Sequence, residues 1–437
     1  MKTHLHFKHA ILIFLLLLSF SCQQKSPQKD PFVAEDLSVG KPENAQVSSE
    51  RLSRIDKVLQ EAVDSNWVKN VTAFIARHGK IVYNQSFGYV DEENNKPLSN
   101  DAIFRIASQT KAITSVAVMM LFEEGKFLLD DPISRYIPAF AHPEVVDTYN
   151  EEDTTYTTIP ADREITIRDL LTHTSGLDYL AIGSPRMRAI YYKNGFPAFF
   201  GSDNVKLGDL INHLAEMPLA HQPGEKFTYG MSVDVLGYLV EVISGMPLNE
   251  FFRTRIFEPL GMNDTYFYLP DDKKDRLVPV FTLDSKDQLI YLTGPDEYNI
   301  WNNYPLLNGT FFSGGAGLSS TTKDYGTFLQ MMLNKGVYHG KRLLARRTVE
   351  LMTTNQLGDV PFGKNGFGLG FEVFSKEGEL VLGQTEGSFA WGGYWGTTYW
   401  ADPKEGLVAL IFMNQRPLKK GDLQDKFKAM VYQALDD

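Results

Sequence analysis

The sequence predicts an α+β fold, an antiparallel sheet built from both ends of the chain with a mostly helical region set into it. Three observations carry this. Strand-like segments collect near residues 71–90 and again beyond residue 366, helical patterns fill the stretch between, and Phe104–Leu121 is apolar nearly all round, as a buried helix is. On this reading an all-helical lobe of about residues 113–314 is inserted into an α/β lobe made of residues 48–112 and 315–435. A cleft between two such lobes is where a site belongs.

The elements follow in order. Ser49 is placed to cap a helix that carries Leu52, Ile55, Leu59 and Val63 on one face. Val71–His78 and Ile81–Val90 read as strands joined by a tight turn at Gly79. The apolar helix comes next and stops at Gly125. Ile165–Leu177 buries Ile167, Leu170 and Leu171 and ends in a Thr-Ser-Gly turn, where His173 is expected to bond nearby carbonyls at the helix end. Tyr229 falls in a loop before the helix Val233–Ser244, and helical patterning continues through Phe251, Ile256 and Leu260. Tyr291, Tyr298, Trp301 and Tyr304 either line a cleft or cover the core. Phe311–Thr321 is a glycine-rich bend, without the spacing or lysine of a phosphate loop, and a helix with Tyr325, Phe328, Leu329 and Met332 follows. Strands are expected at Gly366–Phe374, Leu380–Gly383, Phe389–Trp391, Thr397–Ala401 and Leu407–Met413, then a last helix over Leu423–Leu435.

The chain has 437 residues and a formal charge of −11, with no basic run beyond its first residues, which argues against nucleic-acid binding. Lys2 and Lys8 precede a short apolar run, Ala10–Phe20, too short to span a bilayer comfortably. It ends at Ser19-Phe-Ser-Cys22, and Cys22 is the one cysteine in the sequence. This resembles the lipobox of bacterial lipoproteins, with Ser19 where leucine is more usual. The expectation is a signal peptide over residues 1–21, acylation of Cys22 and a flexible tether over residues 22–47. That would hold the domain of residues 48–435 at the bacterial cell envelope, facing the periplasm or the surface. An ordinary signal peptide with an incidental cysteine is the alternative. With no other cysteine, stability must come from packing.

Within the apolar helix, Ser108 and Lys111 stand three residues apart, on one face and about 5–6 Å apart at Cβ. A serine at a helix N-terminus meets backbone N–H groups that favour developing negative charge. Burial disfavours the charged form of the lysine beside it, which suits it to take a proton. The plain alternative is an N-cap serine and a lysine reaching for water.

Four further features occur in order: Asp169-Leu-Leu-Thr-His-Thr-Ser-Gly176, Pro223-Gly with Tyr229, Leu318-Ser-Ser-Thr321, and Trp391-Gly392-Gly393. Together with Ser108-x-x-Lys111 they make the chain resemble the serine β-lactamase and penicillin-binding-protein superfamily on its class C side, and within it the family VIII carboxylesterases. The resemblance covers about residues 48–435 and implies a β-lactamase/transpeptidase-like fold. It implies Ser108 as nucleophile, Lys111 as its base and Tyr229 as a partner in moving the proton. It implies an oxyanion hole from the backbone N–H groups of Ser108 and Tyr394, and Gln109, Met231, Trp301, Trp391, Gly392 and Gly393 at the substrate. No metal or organic cofactor is implied, and the partner is a small-molecule ester or amide.

Two departures bear on the substrate. The common Tyr-x-Asn is Tyr229-Gly-Met231 here, so an amide-holding asparagine is absent. Trp391 stands where the superfamily's third motif carries a cation, removing a charge-assisted contact of about 1.5–3 kcal/mol to a carboxylate. Both favour a carboxylesterase on small esters over a β-lactamase or a D-amino-acid peptidase or amidase, while a sensor that keeps the fold without turnover is disfavoured by the presence of Ser108, Lys111 and Tyr229. Other hydrolase plans lack their signatures. Gly230-Met-Ser232-Val-Asp234 fails Gly-x-Ser-x-Gly at its last position, and no His-Glu-x-x-His occurs.

Overall fold

The computed structural model describes residues 35–91, 95–196, 205–378 and 381–437. The expected leader, Cys22 and the first part of the expected tether lie outside these residues.

The centre of the fold is explained by two strands with no polar face. β2 (Asn70–Arg77) and β9 (Leu407–Phe412) are buried at every position, so each must be covered on both sides. Between them in sequence come β3 (Lys80–Asp91), β4 (Lys96–Pro97), β5 (Gly366–Phe367), β6 (Glu372–Val373), β7 (Phe389–Gly393) and β8 (Thr397–Asp402), and β1 (Ser38–Val39) precedes them. The sheet runs β1-β3-β2-β9-β8-β7-β6-β5, with β4 on the edge of β3. Every pairing is antiparallel except that of β1 with β3. Strands from the two ends of the chain thus meet at β2–β9, in the register Ile75↔Ala409.

Alternation sorts the side chains between two helical layers. Ala73, Ile75, Ala409 and Ile411 pack with α1 (Ser49–Asp64) and the last helix, Leu423–Gln433. Phe74, Ala76, Val408 and Leu410 join the larger core with α2 (Thr110–Glu123). Every residue of α2 from Thr110 to Leu121 is buried, as its unbroken apolar sequence requires. The middle of the chain supplies α3 (Ile167–Leu171), α4 (Pro185–Lys193), α5 (Leu207–Leu214) and α6 (Ser232–Ser244). It also holds two small hairpins, Glu144–Tyr149 with Tyr156–Pro160 and Phe281–Leu283 with Leu289–Tyr291. The described residues pack as one compact unit. No helix of the described residues is long and apolar enough to cross a membrane.

Several expectations shift in detail. The cap of α1 is Ser48 rather than Ser49, its hydroxyl accepting from the Arg51 N–H. The β2–β3 turn places His78 and Gly79 both at positive φ, 49° and 68°, as a two-residue hairpin needs. Residues 35–47 belong to the fold rather than to a tether. Ser38 pairs with Lys80, Ala45 and Val47 are buried, and Arg77 donates to the Gln46 carbonyl at 2.8 Å. The strand expected over Gly366–Phe374 is broken by Gly370 at φ 95°, where a Cβ would lie 2.2 Å from the Ser115 hydroxyl of α2. Residues 381–383, expected in a strand, form a turn, and residue 380 lies outside the described residues.

Candidate active site

The chain reaches Ser108 through a strained step. Ala107 sits at φ 43°, which costs energy for a side-chain-bearing residue and is held by what surrounds it. The turn Ala107–Gln109 runs directly into α2 and is pinned from outside. Ile106 N–H donates to the Leu318 carbonyl at 3.1 Å, and the Tyr325 hydroxyl donates to the Gln109 carbonyl at 2.8 Å. The Leu318–Thr321 stretch therefore buttresses the Ser108 turn.

Lys111 is 2% exposed. Its Nζ donates to the Tyr179 hydroxyl at 2.8 Å, to the Gly315 carbonyl at 2.8 Å and, at a longer 3.4 Å, to Ser108 Oγ. It also stands 4.6 Å from the centre of the Tyr229 ring. The Gly315 carbonyl is fixed by a buried acid on α6. Asp234 accepts the Gly315 N–H at 3.1 Å and the Ser313 hydroxyl, and a Cβ on Gly315 would fall 2.4 Å from its other oxygen. Burial raises the Asp234 pKa, against the pull of Lys111.

Tyr179 was not among the residues singled out from sequence. Its phenol is held well above the ordinary range, first by burial and then by Tyr229 and Asp234, so it stays neutral and accepts from Lys111. Asp178 positions it, accepting the Tyr179 N–H at 2.7 Å and the Ser184 hydroxyl, at the cap of α4, at 2.8 Å. The available signal was Asp178-Tyr179 directly after the Thr-Ser-Gly-Leu turn. That turn cradles the Tyr229 loop. Gly230 approaches so closely that a Cβ would lie 2.0 Å from the Leu177 carbonyl, and Ser175 and Ser232 share a hydrogen bond of 2.8 Å.

His173 departs from its expected role. Neither ring nitrogen has a hydrogen-bond partner among the described residues. The ring packs against Phe227, Tyr229 and Phe367, its centre 4.8 Å from that of Tyr229. Burial, then Lys111, pushes its pKa well below 6.5, so it backs the tyrosine as a neutral plate.

Trp391 lies across from these groups on β7. Its indole N–H donates to the Tyr229 hydroxyl at 3.2 Å, and the two rings are 5.4 Å apart. The glycines after it have a steric reason. A Cβ on Gly393 would sit 2.4 Å from the Ile106 carbonyl and 2.2 Å from the Thr397 hydroxyl, so only glycine lets the end of β7 close on the Ser108 turn. Tyr394 follows, its hydroxyl donating to Asp296 at 2.6 Å.

Ser108 lines two cavities. The larger, about 610 Å³, is walled by Tyr179, Leu180, Ile182, Ala189, Tyr298 and Trp395 among others. The smaller, about 390 Å³, holds Tyr229, Trp391, Gly392 and Thr398, with Glu372 and Lys428. Lys428 was missed because it lies off the apolar stripe that marked the last helix. Four expected substrate contacts are elsewhere, and one of them, Gly393, lines neither cavity because it closes on Ile106 and Thr397. Gln109 and Met231 are fully buried and line neither cavity, because the turn and the start of α6 face them inward. Trp301 is 40% exposed, while its neighbours Tyr298 and Ile300, with Tyr304, face the larger cavity.

A model of the Beta-lactamase family matches residues 55–433, and the chain belongs to that family. An uncharacterized protein of Mycobacterium tuberculosis is 35% identical over 375 residues, covering 82% of this chain and 89% of its own. Esterase EstB of Burkholderia gladioli is 28% identical over 377 residues, covering 83% and 90%. The solved structure of EstCE1, a hydrolase with promiscuous acyltransferase activity, matches with a TM-score of 0.74 at 27% identity, over 87% of this chain and 98% of that one. The chain is a serine hydrolase of the β-lactamase and penicillin-binding-protein fold.

Proposed function

We propose that this serine hydrolase is a carboxylesterase that works through an acyl-enzyme on Ser108. For the attack Lys111 is the neutral amine, its two N–H groups held by Tyr179 and Gly315 and its lone pair turned to Ser108 3.4 Å away, so that Ser108 Oγ attacks the ester carbonyl as its proton passes to Lys111. The carbonyl oxygen becomes an oxyanion facing the N–H groups of Ser108 and Tyr394. The C–O bond to the alcohol then breaks, and the alcohol oxygen takes a proton delivered through Tyr229. Water then adds to the acyl carbon as its proton passes through Tyr229 to Lys111, the bond from the acyl carbon to Ser108 Oγ breaks, Lys111 returns the proton to Oγ, and the carboxylic acid leaves.

The observation that carries the ester reading is the indole N–H of Trp391 on the Tyr229 hydroxyl. The position that would hold a cation for a carboxylate is occupied by an apolar ring that orients the acid/base tyrosine. The likeness to esterase EstB supports the same reading. A second reading, β-lactamase or D-amino-acid peptidase, is favoured by Lys428, a cation in the smaller cavity, but Glu372 in that cavity offsets its charge.

A p-nitrophenyl ester and a chromogenic cephalosporin, assayed side by side, separate the two. Ester turnover should dominate and fall about 10⁴-fold or more in Ser108→Ala. Cephalosporin cleavage of equal or greater efficiency would overturn the ester reading.

A further inference from the structure

We propose that the ester's acyl group occupies the larger cavity and is a medium-length apolar chain or ring system, an inference that rests on the esterase reading above. The two sides of the scissile bond are separated by Ser108, which lines both cavities. Tyr229, the proton donor to the departing alcohol, lines only the smaller one, so the alcohol leaves through it and the acyl group lies in the other.

The larger cavity is built for an apolar occupant. Leu180, Ile182, Pro185, Ala189, Phe196 and Ile300 form its walls. Its charged groups, Arg188 and Glu297, are opposite in sign, and the Arg188 guanidinium lies over the Tyr298 ring at 5.5 Å. No net charge therefore selects an ionic acyl group. At about 610 Å³ the cavity falls among those that enclose drug-sized ligands, roughly 300–1,000 Å³. An acetyl group would leave most of these walls against water, while each added methylene removes apolar area from it.

Both walls are also fixed in advance. Asp296 accepts from the Tyr394 hydroxyl at 2.6 Å and from the N–H groups of Tyr298 and Ile300 at 2.9 Å, which ties the aromatic loop to the residue beside the nucleophile. On the opposite side Asp178 joins Tyr179 to the cap of α4, the helix that carries Ala189. Walls already in place lower the ordering cost of binding a large group.

The test is a series of p-nitrophenyl esters from acetate through butyrate and hexanoate to octanoate, with the full chain and two variants that fill the cavity at separate positions of the wall formed by Tyr179 and α4, Ala189→Phe and Ala181→Phe. In the parent, kcat/KM should rise by up to about fourfold per methylene. In each variant the ratio of octanoate to acetate kcat/KM should fall about tenfold or more below the parent's. Brisk acetate turnover with no rise along the series, or filled variants that treat octanoate as the parent does, overturns this inference and leaves the esterase reading standing. Absence of turnover on every ester, acetate included, overturns the esterase reading and this inference with it.

Discussion

Lys111 is engaged by three partners on three different segments, Ser108, Tyr179 and Gly315, and this fixes its Nζ between Ser108 and two tyrosines. Ser108 and Lys111 were legible because they are neighbours on one turn, where sequence spacing is spatial spacing. Tyr179 was not, because its contact with Lys111 spans 68 positions and nothing local marks it. Trp301 misled for a related reason. Aromatic clustering shows that a segment packs, and only the fold decides which rings face the cavity. His173 gives a prediction at this scale. Its folded pKa is depressed below 6.5, so the unfolded chain binds the extra proton first and stability falls as pH falls below 6.5. The loss approaches about 1.4 kcal/mol per pH unit. His221, also depressed by burial, acts in the same direction. Asp324, raised to about 6, acts in the opposite one and gains stability as it is protonated. Urea unfolding at pH 7.5 and pH 5.5 should show a smaller loss in His173→Asn than in the parent, since asparagine tolerates the positive φ and cannot be charged. An equal loss in both would remove His173 as the source.

At the level of elements, β7 and the nucleophile turn work as a pair whose separation is set by one missing side chain. Gly393→Ala would push a methyl group into the Ile106 carbonyl and open the gap between Tyr394 and Ser108. We expect kcat to fall about 10²–10³-fold, the cost of one oxyanion donor, with circular dichroism unchanged. Wild-type kcat in this variant would show that the Tyr394 N–H takes no part. The element α3 shows the other side of the design. A capping box joins Thr166 and Asp169, Arg163 grips the Asp169 carboxylate at 2.6 Å, and the helix ends where the cradle for Tyr229 begins. The sequence made this helix plain through its cap and apolar spacing. The strand expected over Leu380–Gly383 rested on a short apolar run alone, and such a run serves a turn as readily as a strand.

For the whole molecule, the α+β architecture followed from where strand and helix patterns fall along the chain. The inclusion of residues 35–47 did not, because their polar, proline-bearing composition hides a few buried contacts. Arg77 links three distant parts of the chain. It is 2% exposed, donates to the Gln46 carbonyl at 2.8 Å, and pairs with Glu405 at 3.0 Å and Asp437 at 2.8 Å. Arg77→Ala should cost about 1–3 kcal/mol in chemical unfolding, because the Gln46 and Glu405 carbonyls and two partly exposed carboxylates lose the buried donor they share, while ester turnover per folded molecule is kept. A change below about 0.5 kcal/mol would show that these pairs are no more than surface ones.

The position of β9 between β2 and β8 has a consequence for biosynthesis. While the chain is being made, β2 waits with an open edge through more than three hundred further residues, until Leu407–Phe412 has emerged. The helix α2, apolar on nearly every side, waits with it. A chain halted before Leu407 has no partner for that edge, so the sheet under Ser108 closes only on finished chains and catalytic competence is acquired last. Until then the nascent chain carries its most adhesive surfaces exposed, which makes it a natural client for chaperones that hold polypeptides open.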